Sequence, residues 1–171
     1  MDLGESLTRG TALAALALYA VGLALRIAAR GRRERLAAAR AFWTAGCAVF
    51  LVHVACAFEF IHHWSHAAAY EATARETFAV VGWNWGGGLY ANYAFTLVWV
   101  LDAAWWWGGI DRYAARSRWI EWCVQALLAF MAFNATVVFG HGMTRWFGLA
   151  ACASLALLFV QNRRRGSKYL C

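Results

Sequence analysis

The chain has 171 residues, of which 63% are hydrophobic, and its formal net charge is +7. A soluble domain of this size is usually about 45–50% apolar, so the composition excludes an ordinary soluble domain and favours a helical membrane protein. The positive charge does not indicate a nucleic-acid partner, because the basic residues are dispersed between apolar runs. Eleven tryptophans and no proline fit a helical bundle with aromatic belts at the membrane interfaces.

Five apolar runs predict an all-α integral membrane protein, a five-transmembrane-helix bundle that forms a single membrane domain. The spans are expected at about 11–26, 41–61, 86–108, 119–140 and 146–160. Each run approaches the ~20 residues that are needed to cross ~30 Å of hydrocarbon. Residues 64–80 contain good helix formers and no proline, and we expect them to form a short extracytoplasmic helix between spans two and three.

The distribution of basic residues predicts the topology. Segments 26–40, 109–118 and 161–171 contain six, three and four Lys or Arg residues, thirteen of the sixteen in the chain. The positive-inside rule places these segments in the cytoplasm, which puts the N-terminus outside and the C-terminus inside. We therefore expect a multi-pass protein of a cell membrane of the cytoplasmic (inner) type. Its expected partners are the lipid bilayer and either other membrane subunits or further copies of itself.

A cluster of histidines stands at the outer end of the second span. Four of the five histidines lie within residues 53–70. On a continuous helix, at about 100° per residue, several polar side chains would share a stripe of roughly 120°, with His53 about 60° beyond its edge. The members of that stripe are Cys56, Glu59, His62, His63, His66 and Tyr70.

This stripe predicts an outward-facing site for a transition metal, because imidazole, thiolate and carboxylate groups bind copper, zinc and iron. Glu59 and His62 also form one copy of the Glu-x-x-His pattern that supplies ligands to di-iron sites in helical bundles. A fifth histidine leaves the fourth span on the same side, followed closely by a methionine. The candidate metal ligands are Glu59, His62, His63, His66 and His141, with Cys56 and Met143 as secondary candidates.

A haem site is a less favoured hypothesis. His53 and Met131 each lie twelve residues from the inner end of their spans, and histidine with methionine is a known axial pair for a haem such as haem b. The alternative for Met131 is that it fills a gap in helix packing. The alternative for the whole cluster is that interfacial histidines only bond to headgroups, water and neighbouring helices.

Other polar features of the spans have structural interpretations. Asp102, near the inner end of span three, either relays protons or makes a hydrogen bond at the inner interface, and the second interpretation is favoured. The five cysteines show no C-x-x-C spacing, so we expect no disulfide framework. The segment WNWGGGLYANYAF at 83–95 is distinctive, but the sequence does not explain why these residues occur together.

The sequence therefore predicts an integral membrane protein with an outward-facing, histidine-rich metal- or haem-binding site, such as a redox or metal-handling subunit. The competing hypothesis is a non-catalytic structural or assembly subunit of a membrane complex. Sequence alone does not decide whether the chain is an enzyme.

Overall fold

The computed structural model describes residues 2–140 and 142–167, and within these ranges it consists of helices joined by turns, without strands. Two of the helices end in a π-helical segment, Ala57–His62 after α2 and Asn134–Val138 after α6. The helices are α1 (Leu3–Ala29), α2 (Arg33–Cys56), α3 (His66–Val81), α4 (Gly88–Trp107), α5 (Ile110–Ala114), α6 (Arg118–Phe133) and α7 (Met143–Ser167).

Helices α1 and α2 form a tightly packed antiparallel pair. Asp2 caps α1 by accepting a hydrogen bond from the Leu3 amide at 2.7 Å, and the helix ends where Arg30 and Gly31 adopt left-handed backbone angles. A Cβ atom at Gly22 would lie 3.2 Å from the backbone nitrogen of Trp43. This glycine therefore allows the close backbone approach that small residues provide in membrane helix pairs.

Within the residues that the structure describes, four helices are long and apolar enough to cross a membrane, which supports the predicted class of protein. They cover Leu3–Ala29, Arg33–His62, Arg118–Val138 and Met143–Asn162. Helix α4, which matches the predicted third span, is not among these four. Its polar residues Asn92, Thr96 and Asp102, together with its tyrosines and four tryptophans, lower its mean hydropathy. The predicted helix at 64–80 is present as α3.

The core of the bundle is a cluster of aromatic rings. Tyr19 of α1, Trp43 of α2 and Trp99 of α4 lie with ring centroids 5.3–6.0 Å apart. Trp106 joins them at 6.1 Å from Trp43, and Leu128 of α6 is fully buried against the same cluster. Helix α4 contacts both α2 and α6. It therefore lies inside the bundle and contributes the most to the core.

Three separate arginine-rich segments meet at one end of the bundle, which we call the basic end. Arg33 at the start of α2 pairs with Asp111 of α5. The Arg30 Nε donates to Asn162 Oδ1 of α7 at 2.5 Å. The opposite end, which we call the histidine end, contains the segment Ala57–His62 and helix α3. The predicted grouping of the basic segments at a common end thus agrees with the fold.

Candidate functional site

The helix is not continuous through the histidine cluster, so the single stripe assumed from the sequence is interrupted. After the π-helical segment, His63 and Trp64 both adopt left-handed backbone angles (φ 48° and 55°). Ser65 then caps the new helix α3 by accepting a hydrogen bond from the Ala68 amide at 3.2 Å. The break is stabilised locally, because the Trp64 amide donates to the Phe58 carbonyl at 2.9 Å. His66 therefore lies on a different helix from His62.

Three of the predicted ligands have partners within the chain. The Glu59 carboxylate accepts a hydrogen bond from the Trp64 indole at 2.6 Å. The His66 ring stacks on Tyr93 of α4, and its Nδ1 lies 3.0 Å from the Tyr93 hydroxyl. The His62 ring packs against Phe58, with centroids 5.7 Å apart. These contacts join the break between α2 and α3 to the start of α4.

The remaining predicted metal ligands are more dispersed. His63 is exposed, Cys56 is a half-buried free thiol, and Met143 is 71% exposed on the first turn of α7. His141 lies outside the described residues. Within the part of the chain that the structure describes, no group of three or more His, Cys, Asp or Glu side chains is placed to hold a metal ion.

The two residues of the haem hypothesis have separate surroundings. The His53 Nδ1 lies 2.9 Å from the Thr8 carbonyl of α1, and because a carbonyl can only accept, this nitrogen carries the proton. Phe50 lies beside the His53 ring at 5.6 Å and contacts Phe95 at 4.8 Å. Met131 packs against the aromatic core. His53 and Met131 thus have separate neighbours, and the haem site stays a prediction.

A buried ionic cluster lies at the basic end, centred on Asp102. Arg116 Nη1 donates to Asp102 Oδ1, and the two side chains are 1% and 2% exposed. The Tyr113 hydroxyl donates to the other carboxylate oxygen, Oδ2, at 2.8 Å. The Arg116 guanidinium also stands over the Tyr113 ring, 4.0 Å from its centroid. Asp102 is therefore bound on both oxygens, at the position where the sequence favoured a hydrogen bond.

The cluster continues to two more charged residues. Arg116 Nε donates to Glu121 Oε2 at 3.4 Å, and Arg26 of α1 donates to the other oxygen of Glu121. The Arg26 guanidinium lies 5.4 Å from the ring centroid of Tyr113. The positive charges of Arg26 and Arg116 balance the negative charges of Asp102 and Glu121, so the cluster as a whole carries no net charge. The cluster ties α1, α4 and α6 to the loop that contains Arg116.

Burial and neighbouring charges fix the protonation states in the loop. Burial raises the pKa of Tyr113 above its ordinary value, so the phenol keeps its proton. Burial alone would lower the pKa of Arg116, but its hydrogen bond to Asp102 and the nearby carboxylates raise it overall. A proton relay needs a group that releases its proton near neutral pH, and an arginine does not. The geometry thus favours fastening of the helices over proton transfer.

The sequence indicated Asp102 but did not identify Arg116 and Tyr113 as its partners. A usable signal was present, because a carboxylate inside a span needs a partner and the following loop contains three arginines. The short helix α5 and the turn after it determine which of these three arginines is buried. They place Arg116 against Asp102 of α4 and leave Arg112 and Arg118 exposed.

Comparisons with protein-family models, with curated proteins and with solved structures found no match for this chain. Its function is therefore inferred from the chemistry and placement of its own side chains.

Proposed function

We propose that this chain is a five-span protein of the cytoplasmic-type (inner) membrane, with its N-terminus outside and its C-terminus in the cytoplasm. The meeting of the α1–α2 turn, α5 and the end of α7 at the basic end supports this topology. Five alternating crossings bring these three segments to the same side, and the positive-inside rule assigns that side to the cytoplasm.

The fifth crossing in this proposal is α4. Its 20 residues extend about 30 Å, the thickness of the hydrocarbon core. Its polar and aromatic residues Asp102, Trp99 and Trp106 are buried in the bundle, whereas Leu97 and Leu101 are exposed at 60% and 57%. The helix therefore presents apolar side chains outward, as contact with lipid requires.

We further propose that the protein is a non-catalytic structural or assembly subunit of a membrane complex. The observation that carries this proposal is that two ionisable side chains of the spans, Asp102 and His53, are bonded within the chain. Asp102 binds Arg116 and Tyr113, and His53 binds the carbonyl of Thr8. Groups engaged in this way fasten helices together and offer little to a substrate.

The outer faces of α6 and α7 provide the surface for a partner. In the apolar 18-residue stretch of either helix only 6% is buried inside the protein, whereas the corresponding share for α1 is 22%. Large aromatic side chains are exposed on both helices, including Trp122 at 58% and Phe147 at 66%. Neighbouring transmembrane helices and lipid compete for such a surface, and helix association in membranes depends on packing of this kind.

The mass of the native assembly tests the proposal. The tagged chain should be extracted in digitonin from membranes of the cells that produce it and analysed by native gel electrophoresis and light scattering, with correction for detergent. We expect an assembly well above the 19.0 kDa of one chain. A single chain at every protein concentration would contradict a structural or assembly role.

A second candidate function is metal binding at the histidine end. Its support is that His62, His63 and His66 stand within five residues at a break in the helix and that His63 is exposed. Glu59 and Cys56 lie nearby in sequence, and His141 and Met143 would complete the predicted ligand set.

Metal analysis tests this second candidate. The purified protein should be incubated with copper, zinc or iron(II), passed over a desalting column and measured for metal per chain. Metal binding by the native chain and its loss in the triple variant H62A/H63A/H66A would support the site. Retention of metal by that variant would contradict the ligand choice. An absorption spectrum without a Soret band would contradict a haem held by His53 and Met131.

A further inference from the structure

A cavity of about 230 Å³ lies at the basic end, between the α1–α2 turn and the end of α7. Arg30, Arg32 and Arg35 line it together with Gln161 and Asn162, and its described lining contains no carboxylate. The space has room for several waters or for a compact anionic group. Three positive charges around one space repel each other unless an anion offsets them.

Two of these arginines are held in place by bonds that leave other donors unused. Arg30 Nε donates to Asn162 Oδ1 at 2.5 Å, and Asn162 in turn donates to the Ile27 carbonyl at 2.8 Å. Arg35 Nη1 donates to the Ala28 carbonyl at 2.8 Å. A guanidinium has five N–H donors in a fixed plane, so each arginine keeps further N–H groups for a ligand.

The start of α2 adds a second attraction for an anion. Arg32 is the N-cap residue of α2, and no side chain caps the helix there. The amide groups of the first helical turn lack intrahelical acceptors, and the helix dipole makes this end positive. Helix N-termini of this kind bind phosphate groups. Here the helix end and the three arginines lie at the same place.

We propose that this cavity binds a phosphate group, supplied by an anionic phospholipid of the adjacent leaflet. Guanidinium groups match phosphate oxygens in charge and geometry, often through two parallel hydrogen bonds. The basic end is the part of the protein that lies at headgroup level in the proposed topology. Leu158 also lines the cavity and gives it an apolar side chain that could contact the part of the lipid attached to the phosphate. Basic pockets between transmembrane helices bind anionic headgroups in this way.

Native mass spectrometry of the full chain with defined lipids tests the site. The protein in neutral detergent should be mixed with phosphatidylglycerol or phosphatidylcholine and the retained lipids counted. We expect selective retention of phosphatidylglycerol. The variant R32Q should weaken retention about tenfold or more, because it removes charged hydrogen bonds to the phosphate. Arg32 bonds to the described residues through its backbone, to the Ala29 carbonyl and from the Leu36 amide, and R32Q leaves the backbone unchanged. The variant is therefore expected to keep the fold, which circular dichroism checks.

The matched control is R112Q, which removes the same charge from an exposed position on the neighbouring loop. Unchanged lipid retention in R112Q alongside the loss in R32Q supports the cavity. Equal loss in both variants overturns the proposal, because attraction would then depend only on overall charge. A parallel titration with inorganic phosphate identifies the source of the phosphate: Arg32-dependent binding of the free ion without lipid retention overturns the lipid assignment.

Discussion

Replacement of Asp102 by alanine gives the sharpest test of the buried ionic cluster. D102A removes the acceptor of both Arg116 and Tyr113. The Arg116 side chain is 1% exposed, so water does not readily replace the lost carboxylate. Removing one partner of a buried ion pair typically costs about 3–5 kcal/mol. Arg116 would keep only the longer ion pair with Glu121, at 3.4 Å, whose carboxylate side chain is 37% exposed. We expect the free energy of unfolding to fall by about that amount.

The assay is reversible unfolding in mixed micelles, with the fraction of sodium dodecyl sulfate as denaturant and tryptophan fluorescence as the signal. Trp106, one of the eleven tryptophans that contribute to this signal, stacks on Tyr113 at 4.3 Å. D111A is the matched control, because Asp111 also pairs with an arginine at the basic end. That pair is exposed, with Arg33 at 72% and Asp111 at 76%, and exposed pairs contribute about 1 kcal/mol or less.

A double-mutant cycle separates the ion pair from general damage. R116A should also destabilise strongly, because it leaves the Asp102 carboxylate buried with only the Tyr113 hydroxyl. The double variant D102A/R116A removes both charges and should cost less than the sum of the single variants, by about 1–3 kcal/mol. The reasoning is refuted if D102A costs no more than D111A, or if the two single effects simply add.

Three further outcomes follow from the structure. Burial raises the pKa of Tyr113 above its ordinary value of about 10. Above about pH 10 the folded state therefore keeps a phenol proton that the unfolded chain loses. The loss of stability in Y113F should be constant at about pH 8–10 and should become smaller at higher pH. In a chain without native cysteines, T144C should react with a membrane-impermeant maleimide added outside and S117C should not; the reverse pattern excludes the topology. G86A should lower the free energy of unfolding by about 1–3 kcal/mol, because its Cβ would overlap the backbone of α3, whereas G10A, with no atom within 4 Å, should not; equal effects would contradict this packing.

The sequence predicted much of the fold because membrane helices follow from apolar length and charge. The alanine-rich first run and the run that contains His53 could be recognised from composition alone. The helix bounds differ, since α1 begins at Leu3 rather than near residue 11. Polar residues such as Glu5 and Arg9 extend that helix beyond its apolar part, where they form an ion pair one turn apart.

The candidate site was harder to predict, because it depends on local backbone geometry and on contacts across the bundle. The predicted stripe of side chains requires a continuous helix, and the left-handed backbone angles at His63 and Trp64 break the helix there. Serine is a preferred N-cap residue, but the proline-free segment that contains Ser65 was also compatible with one continuous helix. The partners of Asp102 lie 11 and 14 residues further along the chain, after a turn. The periodicity of the sequence does not predict the direction of that turn.

Helix α4 shows why hydropathy and burial must be considered together. A helix that faces lipid on every side needs apolar residues all round, whereas one that packs between α2 and α6 needs them only on its outer face. Asp102 and Trp99 of α4 are buried in the bundle, and Leu97 and Leu101 are exposed. Its lower mean hydropathy is therefore what its central position produces. The side that carries Asp102 is stabilised by the loop that follows, which explains how a span can contain a buried carboxylate.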